Sequence, residues 1–241
     1  LPTASEKSSN KPLGRIIVCY VSDGRSLGAS DRVGSVLTRI RAAIAAGVDW
    51  VQIREKDLPA RRLLGLVRAA VGAAQDEAPK LNTSLIEKTR VLVNDRLDVA
   101  IAAGAAGVHL REESVSAREV VRWCRSGNAP AEFLVGVSCH NPGQVRDAEG
   151  AGASYAFFGP VFDTPSKRAF GPAQGVVALG EVCRTAKIPV IAIGGVNETN
   201  GAECVRAGAA GIAAIRLFQG SGETGELTKA VERLHRLSRN S

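Results

Sequence analysis

Eight short apolar, β-branched runs alternate along this chain with eight longer Ala/Leu/Arg-rich stretches of helical period. That alternation constrains the fold more than any other feature. Strands are expected at 16–22, 50–55, 90–94, 107–110, 134–139, 155–159, 189–194 and 211–216. Helices are expected at 31–46, 59–77, 95–103, 116–126, 142–151, 174–186, 199–207 and 224–238. Four unit boundaries share one punctuation, Ala46-Gly47-Val48, Ala103-Gly104-Ala105, Ala151-Gly152-Ala153 and Ala207-Gly208-Ala209, each with a glycine where a helix should stop. Eight strand–helix units in a chain of 241 residues match the size of a single (β/α)8 TIM barrel. A doubly wound open sheet would carry a Gly-rich first turn, and Ser22-Asp23-Gly24-Arg25 is not one.

Composition narrows the function classes. With 45% hydrophobic and 23% charged residues the chain is globular and not disordered. No apolar stretch reaches the roughly 20 residues that span a bilayer, and no signal-like segment opens the sequence, so no membrane partner is expected. The net charge of +7 suits acidic ligands. It is spread along the chain, however, with only two Trp, two Tyr and six Phe, so no nucleic-acid partner is expected. Five scattered cysteines without CxxC spacing indicate neither a disulfide framework nor a zinc site, and the default location is cytoplasmic. Residues 1–14 read as a flexible polar leader, with the barrel at 15–241.

In a barrel, strand side chains alternate between interior and helices, and sites gather at the strands' C-terminal ends. The run Gln52-Ile53-Arg54-Glu55-Lys56-Asp57 therefore puts Gln52, Arg54 and Lys56 on the inner face of the second strand. Two cations there call for an anion, because an unpaired buried charge is costly. Asn94 and Asp95 end the third strand, either as a helix N-cap or as ligands of phosphate and Mg²⁺. Ser138 and His140 share a face at the end of the fifth strand; His140 is a proton shuttle or a structural histidine. Cys139 points the other way and reads as packing.

The longest strand–helix loop follows the sixth strand and offers Thr164, Ser166, Lys167 and Arg168 as phosphate donors. Gly194 and Gly195 close the seventh strand where this fold recurrently binds phosphate, and Arg216 adds a cation at the eighth. Two anion zones at one mouth suit two phosphorylated substrates, or one with phosphate at both ends.

Six motifs in order, Gln-Ile-Arg-Glu-Lys-Asp (52–57), Val-Asn-Asp-Arg-Leu-Asp (93–98), Gly-Val-His-Leu (107–110), Gly-Val-Ser-Cys-His (136–140), Phe-Gly-Pro-Val-Phe-Asp-Thr-Pro-Ser-Lys (158–167) and Ile-Pro-Val-Ile-Ala-Ile-Gly-Gly-Val (188–196), resemble the thiamine phosphate synthase/TenI superfamily. The resemblance covers about residues 16–218. For the synthase it implies a transferase of thiamine biosynthesis. Such an enzyme couples hydroxymethylpyrimidine diphosphate with thiazole phosphate, giving thiamine phosphate and pyrophosphate. It also implies roles: Gln52 holds the pyrimidine; Arg54, Lys56, Asn94 and Lys167 bind the diphosphate; Asp95 binds Mg²⁺. Ser138, Thr164, Ser166, Gly194 and Ile215 would hold the thiazole phosphate. Arg54, Lys56, Lys167 and His140 are the catalytic candidates, and Gly195 and Arg216 complete the binding set. The partners expected are small phosphorylated pyrimidine and thiazole substrates, and a homo-oligomer stays open.

Two positions depart from the synthase pattern. After Val-His-Leu the synthase has Gly-Gln-(Glu/Asp)-Asp, whose last residue is the second Mg²⁺ ligand; here the stretch is Arg111-Glu112-Glu113-Ser114. Glu112 could substitute only if the stretch stays extended. Arg216 stands where the synthase has Ser. A TenI-type thiazole tautomerase, with the histidine matching His140 as acid/base, is the first alternative. A non-catalytic binder of thiazole or thiamine phosphate is the second.

Overall fold

The computed structural model describes residues 15–77, 88–164, 172–219 and 224–237; the 1–14 leader, Ser166, Lys167 and Arg168 lie outside the described residues. Eight parallel strands close in chain order, each pairing with the next and β8 with β1. They are β1 (Ile17–Val21), β2 (Trp50–Ile53), β3 (Arg90–Asn94), β4 (Gly107–Leu110), β5 (Leu134–Cys139), β6 (Tyr155–Phe158), β7 (Val190–Ile193) and β8 (Gly211–Ala214). The helices are α1 (Arg32–Ala45), α2 (Ala60–Glu77), α3 (Leu97–Ala102), α4 (Ala117–Trp123), α5 (Pro142–Ala151), α6 (Gly175–Thr185), α7 (Gly201–Arg206) and α8 (Thr224–Arg236). The expected (β/α)8 barrel is the observed fold. None of the described helices is long and apolar enough to cross a membrane.

The alternation works as the sequence requires. Outward strand residues such as Val18, Val51, Val93, Val108, Cys139 and Ile212 are buried in the layer under the helices. Helix α2 meets that layer with Leu63, Leu66, Val67, Ala70 and Ala74, the spacing of one helical face. The inward residues form a second cluster, with Cys19, Val21, Trp50, Leu92, Tyr155, Phe157, Ile191 and Ala213 filling the barrel. The repeated glycines Gly47, Gly104, Gly152 and Gly208 have φ of +85°, +66°, +86° and +97°, the left-handed turn that stops a helix before the next strand.

Differences cluster at the mouth. Strand β2 stops at Ile53, two residues early, because the Arg54–Asp57 chain is bent onto α1 by Glu55. Helix α3 begins at Leu97, since Asp95 itself takes φ +66°. Strand β8 ends at Ala214, and Arg216 opens a 3₁₀ turn, Arg216–Phe218, with its side chain exposed. The expected strand-borne cation there is thus a turn residue.

Candidate active site at the barrel mouth

Register builds the site. Asn94 pairs with His109, and His109 with Gly136, across β3, β4 and β5, while Ser138 pairs with Phe157 on β6. Gln52, 2% exposed, donates from Nε2 to Asn94 Oδ1 at 3.3 Å. These neutral amides form the floor of the mouth.

Above them stands Arg54. Among the described residues its guanidinium pairs with no carboxylate, and its charge reaches His109 inside the barrel. The odd-numbered side of the same segment explains how Arg54 is held. The Glu55 carboxylate, wholly buried, accepts from Ser22 Oγ (2.7 Å), Gly24 N (2.9 Å), Arg32 Nε (3.1 Å) and Arg32 Nη2 (2.6 Å). Ser22 Oγ in turn accepts from Arg54 N at 3.0 Å. Arg32 also grips Asp57 through Nη1 and Nη2 at 2.6 and 2.8 Å. One ion cluster therefore fixes the segment whose other face carries Arg54 and Lys56.

Asp95 is no helix cap; Arg96 stands at the cap of α3 without a side-chain bond to it. The left-handed backbone of Asp95, tolerated by a short polar side chain, turns the carboxylate across to the β4–α4 loop. There it accepts from Arg111 Nη2 at 2.8 Å and from the Ser114 hydroxyl. Burial alone would raise the Asp95 carboxyl; the Ser114 and Arg111 bonds, with Lys56 nearby, outweigh it and hold the group below the usual carboxylate range.

The Mg²⁺ expectation meets a thin donor set. Mg²⁺ demands near-octahedral oxygen ligation, yet both Asp95 oxygens are engaged and Ser114 supplies only a hydroxyl. The 112–115 stretch turns and does not stay extended, and Glu112 faces Gln144, accepting from its Nε2 at 3.0 Å. Among the described residues no three His, Cys, Asp or Glu converge on a metal site. As they stand, these side chains do not fit a protein-held Mg²⁺.

His109, named at first only within a motif, turns out to be central. It is 1% exposed, with Nδ1 3.1 Å from the Tyr155 hydroxyl, Nε2 2.8 Å from Ser138 Oγ, and its ring against Phe157. Burial, helped by the Arg54 charge, pushes its pKa down to about 3, so the ring is neutral. Its even spacing from Arg111 along β4 was the signal available for both residues. Gly136 makes room for this arrangement: a Cβ there would lie 2.0 Å from Tyr155 Cζ.

His140 is half-buried, with Nδ1 against the Gly159 carbonyl and its backbone N–H donating to Gln144 Oε1 at 2.6 Å. A ring nitrogen facing a carbonyl must carry the proton, which leaves Nε2 as the basic nitrogen of the neutral ring. Cys139 packs outward, and burial raises its thiol to about 12. The thiol is inert, as its parity requires.

Gly194 and Gly195 have φ of +93° and +68°. The backbone beside them is shared with the loop after β6: Val161 N and Phe162 N donate to Ile193 O and Gly194 O, each at 2.9 Å. A Cβ on Gly194 would lie 2.5 Å from Pro160 Cα, and one on Gly195 2.8 Å from Phe162 Cβ. Both glycines are thus needed to seat this loop, which leads to Thr164. Ile215 packs against the interior cluster just above β8.

Fold and mouth together define a (β/α)8 barrel that gathers Arg54, Asn94, Asp95 and Ser138 at the C-terminal end of its strands. The chain belongs to the thiamine monophosphate synthase family, whose model matches residues 25–218. A Geobacter sulfurreducens protein provisionally named thiamine-phosphate synthase is 42% identical over 81% of this chain and 83% of its own. The thiamine-phosphate synthase of Roseiflexus sp. (strain RS-1) is 34% identical over 96% of this chain and 90% of its own. Among solved structures, a thiamine phosphate pyrophosphorylase from Pyrococcus furiosus superposes with a TM-score of 0.75 at 24% identity, covering 94% and 97% of the two chains. That likeness supports the barrel fold.

Proposed function

We propose that the chain is a thiamine-phosphate synthase, a transferase that joins hydroxymethylpyrimidine diphosphate to a thiazole phosphate and releases pyrophosphate. The observation that carries this reading is Arg54, a half-buried guanidinium at the mouth with no carboxylate partner among the described residues. A cation left so needs an anionic ligand. Departure of a diphosphate leaves a cationic pyrimidine and places negative charge on the leaving group. Arg54 and Lys56 stabilise that charge best as it develops. Gln52 and Asn94 offer an amide pair for the pyrimidine edge. Ser138, held by His109, and the Gly194–Gly195 turn would take the thiazole phosphate, and Lys167, Ser166 and Thr164 would reach both phosphates from the loop after β6. Synthases of this family are generally Mg²⁺-dependent, so the reaction should be run with and without the ion.

A thiazole tautomerase is the second reading, favoured by Ser114 in place of a carboxylate and by a basic Nε2 on His140. The test supplies both substrates and follows pyrophosphate, thiamine phosphate and the two thiazole-phosphate tautomers together. Equal release of pyrophosphate and thiamine phosphate, lost in Arg54→Ala, is expected. Tautomer interconversion without pyrophosphate, lost in His140→Ala, would sink the synthase reading.

A further inference from the structure

We propose that Arg111 supplies at Asp95 the positive charge that a divalent cation would otherwise bring, so that diphosphate binds this mouth without Mg²⁺. The inference rests on the synthase reading for its ligand and goes beyond it for the means of binding.

Three observations carry it. Asp95 is already neutralised: Arg111 Nη2 holds one oxygen at 2.8 Å, while Ser114 donates to the other and accepts from Arg111 N at 2.8 Å. Arginine, aspartate and serine thus form a closed triangle in which the serine positions both partners. A Mg²⁺ ion entering there would meet a guanidinium and have to displace it from Asp95. Secondly, among the described residues no other carboxylate completes a cation site. Glu112 faces Gln144, and Glu113, 84% exposed, reaches Arg111 Nη1 only at 3.6 Å.

Thirdly, Arg111 has donors to spare. Among the described residues its buried Nε has no hydrogen-bond partner, and Nη1 has only the long contact to Glu113. An arginine carries five N–H donors in a planar fork that matches phosphate oxygens two at a time. Spaced two residues beyond the interior His109, Arg111 extends the β4 stripe towards the same mouth as Arg54. Asp95 then acts as the anchor that aims the fork, and the two arginines with Lys56 form a metal-free cradle.

The test uses the full chain, stripped of metal with EDTA, and inorganic pyrophosphate as the probe in calorimetry. The wild type is expected to bind pyrophosphate in EDTA, with saturating Mg²⁺ tightening it by less than about threefold. Arg111→Gln is expected to weaken metal-free binding about tenfold or more, and Arg111→Lys, which keeps the charge but loses the fork, by less. Circular dichroism confirms that each variant is folded. The paired change Arg111→Gly with Ser114→Asp should take up added Mn²⁺ in the presence of pyrophosphate, read as loss of the free-ion sextet in electron paramagnetic resonance, where the wild type takes up no more Mn²⁺ than pyrophosphate alone. Wild-type binding that appears only with Mg²⁺, or an Arg111→Gln variant that binds like the wild type in EDTA, overturns the proposal. The coupling assay decides the synthase reading on its own, so failure of one is distinguishable from failure of the other.

Discussion

His109 shows how one buried side chain can tie two neighbouring strands of the barrel together. Its imidazole lies between Tyr155 and Ser138, both hydroxyl partners, and under the field of Arg54. An unfolded histidine titrates near 6.5, and burial in the barrel lowers that to about 3. Between those two values the unfolded chain binds a proton that the folded chain refuses. The histidine's contribution to stability is therefore complete above about pH 6.5 and is lost as pH falls towards 3. Urea titrations should show stability declining across that window, and declining less in His109→Gln. A His109 imidazole resonance, assigned by its loss in His109→Gln, that titrates with a midpoint near 6.5 in the native protein would contradict this. At this scale the inner-face residues Gln52, Arg54 and Ser138 were legible because strand parity is strict. His109 obeyed the same parity, but only its neighbours in space reveal a hydrogen-bonded hub.

At the scale of the element, the segment after β2 divides its labour by face. Arg54 and Lys56 serve the mouth, while Glu55 and Asp57 tie the same backbone to α1 through Arg32. The Glu55 carboxylate is fully buried, so removing it takes from Arg32 one of its two carboxylates and strands the Ser22 and Gly24 donors. Breaking a buried pair from one side costs about 3 kcal/mol or more. Glu55→Ala is accordingly expected to lose about 3 kcal/mol in denaturant unfolding and to raise KM for the diphosphate substrate, since Arg54 loses its support through Ser22. Arg32→Ala, which leaves the wholly buried Glu55 charge without its counter-ion, should cost at least as much. Unchanged stability in Glu55→Ala would show that the cluster holds nothing. The sequence made the existence of β2 plain and its end obscure. Periodicity runs on to residue 55, whereas the chain leaves the sheet at Ile53 because α1 offers Glu55 an arginine from 23 residues upstream. The same holds at Asp95, where a capping motif in the sequence became a cross-strand acceptor through one left-handed residue.

Across the whole molecule, the barrel separates what binds from what closes. The mouth gathers Arg54, Asn94, Asp95 and Ser138, while the opposite end is tied by Asp49, just before β2. Its carboxylate accepts from Val18 N (2.8 Å), Arg15 Nη2 (3.0 Å) and His235 Nε2 (2.8 Å), joining β1, the chain before it and α8. Because β1 also pairs with β8, this one side chain braces the seam where the first and last units meet. Barrel count and closure were readable from eight periodic units, but this brace was not, since Asp49 looks like any polar residue before a strand. If the two ends are independent, Asp49→Ala should lower stability by about 1–3 kcal/mol, the range for stranding partly buried donors, while kcat at a temperature well below unfolding stays near the wild-type value. Arg54→Ala, whose half-buried guanidinium pairs with no carboxylate among the described residues, should do the reverse, reducing pyrophosphate release with little change in the unfolding midpoint. Paired denaturation and turnover measurements on both variants decide the matter: if Asp49→Ala loses turnover in step with stability, the base of this barrel is mechanically coupled to its mouth and the division by ends fails.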